Sequence, residues 1–303
     1  MKTLSRRSFA AGISTMALGG SIVSAIEVPT RINPRIKGLS LAAFSFRDQM
    51  RWMKGKEREG EMNMLSFLEY AAKEGFDAVE PTAYFFDPGI NRTGLNEFKR
   101  RAHLLGLDIS SGAIGNNFSF PPRDEFTQEQ LNYTRQWIDH YADLGAPVIR
   151  VFAGGRNPEG ATEDEVIDNV VANFEAILPY AEKRGVMLGI ENHDFATNID
   201  AFLKLLDKID SGWLGVTWDS ANIASTPDPY AELARIAPYA INAQVKVMTK
   251  IDGEKAQADL PRLINILRDA DYSGYIVLEY EEEEDPMIAI PNFRDNVMAA
   301  LAG

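Results

Sequence analysis

The chain has 303 residues, 45% apolar and 25% charged, enough for one large domain with a substantial core. Its 31 basic and 44 acidic residues give a formal charge of -13, which argues against nucleic acid as the main partner, because phosphate neutralisation needs a cationic face. Cysteine is absent, which removes disulfides, thiolate metal sites and cysteine nucleophiles.

The first 25 residues read as a targeting segment. Ser5-Arg6-Arg7-Ser8-Phe9 precedes a mildly apolar run from Ala10 to Val23 and the small-residue end Val23-Ser24-Ala25. Twin arginines ahead of such a run resemble the bacterial signal for export of folded proteins, so the expected location is periplasmic; a basic tail is the alternative. Cleavage after Ala25 would leave 28 basic against 44 acidic residues. The run is short and glycine-broken, which disfavours a stable membrane span. Residues 26–37, with Pro29 and Pro34, read as a linker to a single domain over 38–303.

From there strands and helices alternate. Leu39–Phe46 is a strand, Met50–Glu61 a charged rim loop, and Asn63–Glu74 a helix stopped by Gly75. Phe76–Pro81 is the second strand, ending near Glu80, and Leu95–Leu105 the next helix. Leu107–Ile114 is a strand, Thr127–Leu144 a long amphipathic helix, Pro147–Phe152 a strand and Thr162–Arg184 a helix. The apolar run Val186–Ile190 leads to Glu191 and His193. Helix Ala201–Ile209, strand Leu214–Asp219, helix Pro229–Ala237, strand Ile241–Val247 and helix Leu260–Leu267 follow. Tyr275–Tyr280 is the last strand and Phe293–Leu301 the closing helix, with acidic Glu281–Asp285 as a loop between them. Eight strands that read as apolar runs, alternating with eight helices, predict an α/β fold of the closed (β/α)8 TIM-barrel type. An open doubly wound sheet is the structural rival, but its glycine-rich first loop is missing: Phe46 is followed by Arg47-Asp48-Gln49.

In a barrel the C-terminal strand ends meet at one mouth, where strands five to eight bring Glu191, Asp219, Gln244 and Glu279. Three carboxylates and an amide oxygen form a hard, oxygen-rich set suited to one divalent cation, Mn²⁺ or Mg²⁺ first, with Co²⁺ or Zn²⁺ also accommodated. Without a cation these acids would repel and raise one another's pKa; the competing reading is that each merely caps a helix. His193 lies two residues past Glu191 and Lys246 two past Gln244, so each shares a strand face with its neighbour. Lys246 is expected to hold a substrate oxygen or to pair with the acidic rim. Arg150, Glu80 and Asn222 are candidates for polar lining, and Phe46, Phe85, Phe86 and Trp218 for aromatic surface against a sugar ring.

With these strand ends in hand, the chain resembles the sugar phosphate isomerase/epimerase superfamily, the xylose isomerase-like TIM barrels. The resemblance spans about residues 38–301. It is carried by Gly189-Ile190-Glu191-Asn192-His193, Val216-Thr217-Trp218-Asp219-Ser220-Ala221-Asn222, Gln244-Val245-Lys246 and Gly274-Tyr275-Ile276-Val277-Leu278-Glu279-Tyr280. It implies a divalent-metal site on Glu191, Asp219, position 244 and Glu279, where Gln244 departs from the family's histidine. It also implies that Glu191 and Glu279 act as an acid–base pair across an enediolate, in isomerisation or epimerisation of a free or keto sugar. Elimination from a 3-keto-glycoside would begin the same way, a barrel that only binds carbohydrate is the non-enzymatic alternative, and a metal-dependent hydrolase is a further reading. DNA-repair relatives of this barrel need several histidines at the mouth, and this chain offers one.

Overall fold

The computed structural model describes Ile26 and residues 28–303, so the expected export segment lies outside the described residues. In chain order the barrel runs β1 (Ile36–Ala42), α1 (Met64–Lys73), β2 (Ala78–Glu80), α2 (Arg92–Leu104) and then β3, split into Asp108–Ile109 and Gly112–Ala113. It continues with α3 (Glu125–Leu144), β4 (Val148–Val151), α4 (Glu163–Arg184), β5 (Met187–Glu191), α5 (Ile199–Leu206) and β6 (Leu214–Asp219). The last elements are α6 (Pro229–Ile236), β7 (Ala240–Val245), α7 (Leu260–Asp269), β8 (Gly274–Leu278) and α8 (Pro286–Ala302).

Each strand pairs in parallel with its sequence neighbours, and β1 pairs with β8. The ring closes through β3: its first piece pairs with β2 and its second with β4. An open sheet would end in two unrelated edges; here both ends are halves of one strand. The break at Ser110-Ser111 is bridged from α3. The Tyr141 hydroxyl donates to Pro81 O at 2.7 Å and accepts from Ala113 N at 3.2 Å. Gly112 makes room for that ring, since a Cβ there would stand 2.2 Å from it.

The helices begin and end where local chemistry dictates. The Asn63 side chain accepts from the amides of Leu65 and Ser66, and Thr162 and Glu165 form a reciprocal capping box on α4. Gly145 and Gly185 close α3 and α4 in the left-handed conformation.

Period-two alternation sorts the strands. Leu39, Leu41, Val79, Ile149, Leu188, Ile190, Val216, Trp218, Ala243, Ile276 and Leu278 join the hydrophobic core between sheet and helices. The alternate positions are Ser40, Glu80, Arg150, Glu191, Thr217, Asp219, Asn242, Gln244 and Glu279, buried and polar. An interior of this kind holds the barrel together by hydrogen bonds and ion pairs in addition to packing.

Several boundaries depart from the sequence expectation. The first strand stops at Ala42, and Ala43–Phe46 coils into a 3-10 turn. The last helix starts at Pro286, not near Phe293: Asp285 caps it by accepting from Met287 N, and proline at the first helical position gives up no hydrogen bond. Two hairpins were not anticipated. Trp52–Met53 pairs with Lys56–Glu57 inside the expected rim loop, and Met248–Ile251 pairs with Glu254–Gln257 after β7. The expected linker is also docked in part, since Arg31 donates to the carbonyls of Ala240 and Ala270 across the barrel's N-terminal end. Among the described residues no helix is long and apolar enough to cross a membrane.

Candidate active site

Glu80, Arg150, Glu191, Asp219, Gln244, Lys246 and Glu279 come together inside the C-terminal half of the barrel, each no more than 6% exposed. Seven ionic or amide side chains cannot be buried together without partners, so the contacts determine what each can do.

Glu191 is fully engaged. Arg150 Nε lies 3.1 Å from its Oε2, and Asn222 Nδ2 donates to its Oε1 at 2.8 Å. Burial pushes the Glu191 carboxyl up, Arg150 opposes the push, and Asp219 adds to it. Arg150 also donates to Ile114 O at 2.7 Å and lies 4.1 Å from the Phe152 ring centre. Asp219 Oδ1 accepts from the amides of Ala221 and Asn222 at 2.8 and 3.0 Å, leaving Oδ2 to face Lys246 Nζ at 2.9 Å. The same ammonium lies 3.1 Å from Glu279 and 3.4 Å from Glu281. Burial alone would lower the Lys246 ammonium's pKa, but Asp219, Glu279 and Glu281 together hold it far above the ordinary lysine value. Burial pushes Glu279 up to about 8 despite the opposing pull of Lys246.

Glu80 faces inward but lies beneath the mouth. It accepts from Ser111 Oγ, Asn242 Nδ2 and Gln244 Nε2, each at 2.7 Å, and burial raises its pKa against all three. Because Gln244 gives its amide nitrogen to Glu80, its Oε1 is left buried with no partner.

His193 sits at the rim, half-buried, with Nδ1 3.0 Å from Asp194 and its ring 4.7 Å from Phe152. Burial would lower its pKa, but the Asp194 hydrogen bond and Glu191 outweigh burial and raise it. Two expected aromatic contacts are elsewhere. Phe46 packs on Phe67 and Tyr70, and Trp218 donates Nε1–H to Leu233 O on α6 at 2.9 Å. Trp218 adjoins Asp219 on a strand, so the two must point to opposite faces. Phe85 and Phe86 are likewise buried in the core. Half-buried aromatics near the mouth include Phe44, Tyr84 and Phe152. Phe152 continues the inward parity of Arg150, a signal present in the sequence.

Sequence reading also missed Asn192. Its Oδ1 accepts from Asp219 N at 2.8 Å, and its Nδ2 donates to Asp219 O and Asn222 O, both at 2.9 Å. This buried amide fixes the end of β6, and the loop carrying Asn222, to the end of β5.

The four expected metal donors do not fit a divalent ion in this arrangement. Such an ion takes about six oxygens at about 2.0–2.6 Å. Here Glu191 is held by Arg150 and Asn222, while Asp219 Oδ2 and Glu279 turn to the Lys246 ammonium. Gln244 Oε1 alone is buried with neither a hydrogen-bond nor an ion-pair partner. Among the described residues no group of three His, Cys, Asp or Glu side chains is placed to hold a metal. A dication about 4 Å from the lysine would meet roughly 8 kcal/mol of repulsion at an effective dielectric of about 20, so Lys246 would have to leave first.

Comparison with known proteins places this geometry in context. The family described as xylose isomerase-like TIM barrel matches residues 68–297. A 3-oxo-isoapionate decarboxylase from Pectobacterium atrosepticum is 22% identical over 210 residues, 69% of this chain and 67% of that protein. The structure of an L-ribulose 3-epimerase superposes with TM-score 0.68 at 15% identity, covering 88% of this chain and 94% of that one. A xylose isomerase-like barrel from Mycobacterium smegmatis, solved in complex with magnesium, gives TM-score 0.67 at 15% identity, with coverage of 87% and 96%.

Proposed function

The chain belongs to the xylose isomerase-like TIM-barrel family, and from that premise we propose that it moves a proton at the carbon beside a sugar carbonyl, as an isomerase or epimerase of a free or keto sugar. The observation that carries this reading is the pair of buried carboxylates, Glu191 at the end of β5 and Glu279 just past β8, each beside a buried cation. A C–H next to a carbonyl is a weak acid. Its removal requires a carboxylate to take the proton and positive charge to hold the oxygen on which the electron pair comes to rest.

Glu191, paired with Arg150 and steadied by Asn222, takes the proton; the pair of electrons from the broken C–H bond forms the enediolate. Glu279, entering as the carboxylic acid, gives its proton to the same carbon in epimerisation, or to its neighbour in isomerisation as the hydroxyl proton passes between the two oxygens; Glu191 and Glu279 then exchange protons with solvent before the next turnover. His193 and the rim rings of Phe152 and Tyr84 bind the sugar, and Gln244 Oε1 accepts from one of its hydroxyls. The relative from Pectobacterium, a 3-oxo-isoapionate decarboxylase by its name, acts on a 3-oxo compound, and loss of CO2 from such a compound also leaves an enolate; on the enediolate of a 3-keto-glycoside the second outcome is elimination of a leaving group from the adjacent carbon. The twin-arginine segment supports an exported enzyme, and thereby a free sugar over a phosphorylated one.

The test is substrate C–H exchange in deuterated water across a panel of keto sugars and 3-keto-glycosides, with and without added Mn²⁺. Glu191→Gln and Glu279→Gln are each expected to lower exchange by roughly 100- to 10,000-fold. Sugar binding with no exchange on any substrate would overturn the enzymatic reading in favour of a carbohydrate-binding barrel.

A further inference from the structure

We propose that the Lys246 ammonium is the resident cation of this site: it occupies the position between the ends of β6 and β8 that a divalent ion would need, and it holds the substrate's developing oxyanion directly. The oxyanion role rests on the proton-transfer reading above; the occupancy does not.

Three placements carry the inference. Lys246 Nζ lies 2.9, 3.1 and 3.4 Å from Asp219, Glu279 and Glu281, so three acidic side chains surround one ammonium. The backbone fixes the root of the side chain, because Lys246 N donates to Ser220 Oγ at 2.9 Å and Ser220 N donates to Gln244 O at 3.0 Å. Finally, Gln244 is tied back to Glu80 across the barrel at 2.7 Å, which holds its amide in place beneath the ammonium's strand end. The departure from histidine at position 244 and the lysine two residues on are therefore parts of one arrangement.

The weakest of the three contacts shows where substrate enters. Glu281 is at the longest distance, and its side chain is 35% exposed on the loop after β8, whereas the side chains of Asp219 and Glu279 are nearly inaccessible. A substrate carbonyl oxygen displaces Glu281 and accepts the N–H it releases. As Glu191 breaks the C–H bond, the electron pair moves to that oxygen, now hydrogen-bonded to the ammonium. Glu279 enters the cycle as the carboxylic acid, and when it gives its proton to carbon the carbonyl re-forms; Glu191 and Glu279 then exchange protons with solvent. Lysine stays protonated throughout, and nothing is oxidised or reduced.

The experiment reads metal binding without substrate. Protein purified without chelator is analysed for bound metal, then titrated with Mn²⁺ and followed by the electron paramagnetic resonance of the free ion, for wild type, Lys246→Met and Lys246→Met/Asp219→Asn. Wild type is expected to carry well under one divalent ion per chain. Lys246→Met is expected to bind Mn²⁺ at least roughly tenfold more tightly, and the added Asp219→Asn to reverse that gain. About one chelator-removable ion per wild-type chain, or Mn²⁺ affinity unchanged or weakened by Lys246→Met, overturns the proposal. Should Lys246→Met not fold, the wild-type metal content decides alone. Deuterium exchange by chelator-treated wild type and its loss in Lys246→Met extend the result to the oxyanion. If wild type shows no exchange with any substrate, the proton-transfer reading fails while the occupancy result stands.

Discussion

Asn192→Ala separates the architecture of the mouth from its chemistry. The side chain contacts no reacting group, yet its loss removes three hydrogen bonds: from Asp219 N, and to the carbonyls of Asp219 and Asn222. The residue is fully buried, so water does not replace it readily. Each backbone group left unsatisfied costs about 1–3 kcal/mol, and the lower bound for three is roughly 3 kcal/mol. With a denaturant slope of about 3 kcal/mol per molar urea, the unfolding midpoint should fall by about 1 M. Catalysis should suffer separately, because the loop released is the one from which Asn222 holds Glu191 at 2.8 Å. A displacement of about 1 Å in a catalytic group costs about 100-fold in rate. The assays are urea unfolding followed by tryptophan fluorescence and deuterium exchange measured well below the midpoint. Asn192→Asp is the control: it keeps the acceptor for Asp219 N and loses both donors, so it should share most of the loss. An unchanged midpoint, or a lowered midpoint with full exchange, would refute the claim that this amide positions the β5 and β6 ends together.

Other expectations follow from individual contacts. Trp218→Phe should cost about 1 kcal/mol through the lost bond to Leu233 O and leave KM unchanged, as measured by thermal unfolding and steady-state kinetics. Phe152→Ala should raise KM roughly tenfold by removing the ring that lies against both His193 and Arg150, with a smaller change in kcat. Replacing Arg6 and Arg7 by lysine should keep the protein in the cytoplasm, as read by cell fractionation, if the twin-arginine reading is right.

Much of this arrangement was legible before the structure. Strand order, the closed barrel and the convergence of Glu191, Asp219, Gln244 and Glu279 follow from alternation and from the rule that parallel strand ends meet at one mouth. The errors have physical reasons. Trp218 is expected as aromatic surface at the mouth, but it adjoins the inward Asp219, and adjacent strand residues point apart, so its indole reaches α6. Phe46 lies past the end of β1, where a 3-10 turn replaces the period-two count. Both hairpins turn on residue-glycine pairs: Lys54-Gly55 and Asp252-Gly253 have positive φ at both positions, as a type I′ hairpin turn requires. The grip of Lys246 on Asp219 and Glu279 was less accessible. Sequence put all three at the mouth, but which cation neutralises which carboxylate depends on side-chain reach across neighbouring strands. The anchoring of Gln244 by Glu80 spans 164 positions and leaves no local trace.

The seam at β3 sets how the barrel comes apart. Elsewhere around the ring each strand is zipped to its neighbours; past Ser110-Ser111 the pairing of β2 with the second half of β3 narrows to the Ala113 N to Pro81 O bond at 3.1 Å and the Thr82–Ala113 bridge, backed by the Tyr141 hydroxyl from α3. Docking of α3 therefore reinforces the closure of the ring. With fewer ladder bonds than the rest of the ring, the seam is expected to open first, so amides at the junction of β2, β3 and β4 should exchange with solvent ahead of those in β5 to β8. The side of the ring that carries the proposed acid–base pair is then expected to be the rigid side, with the breathing of the barrel opposite it.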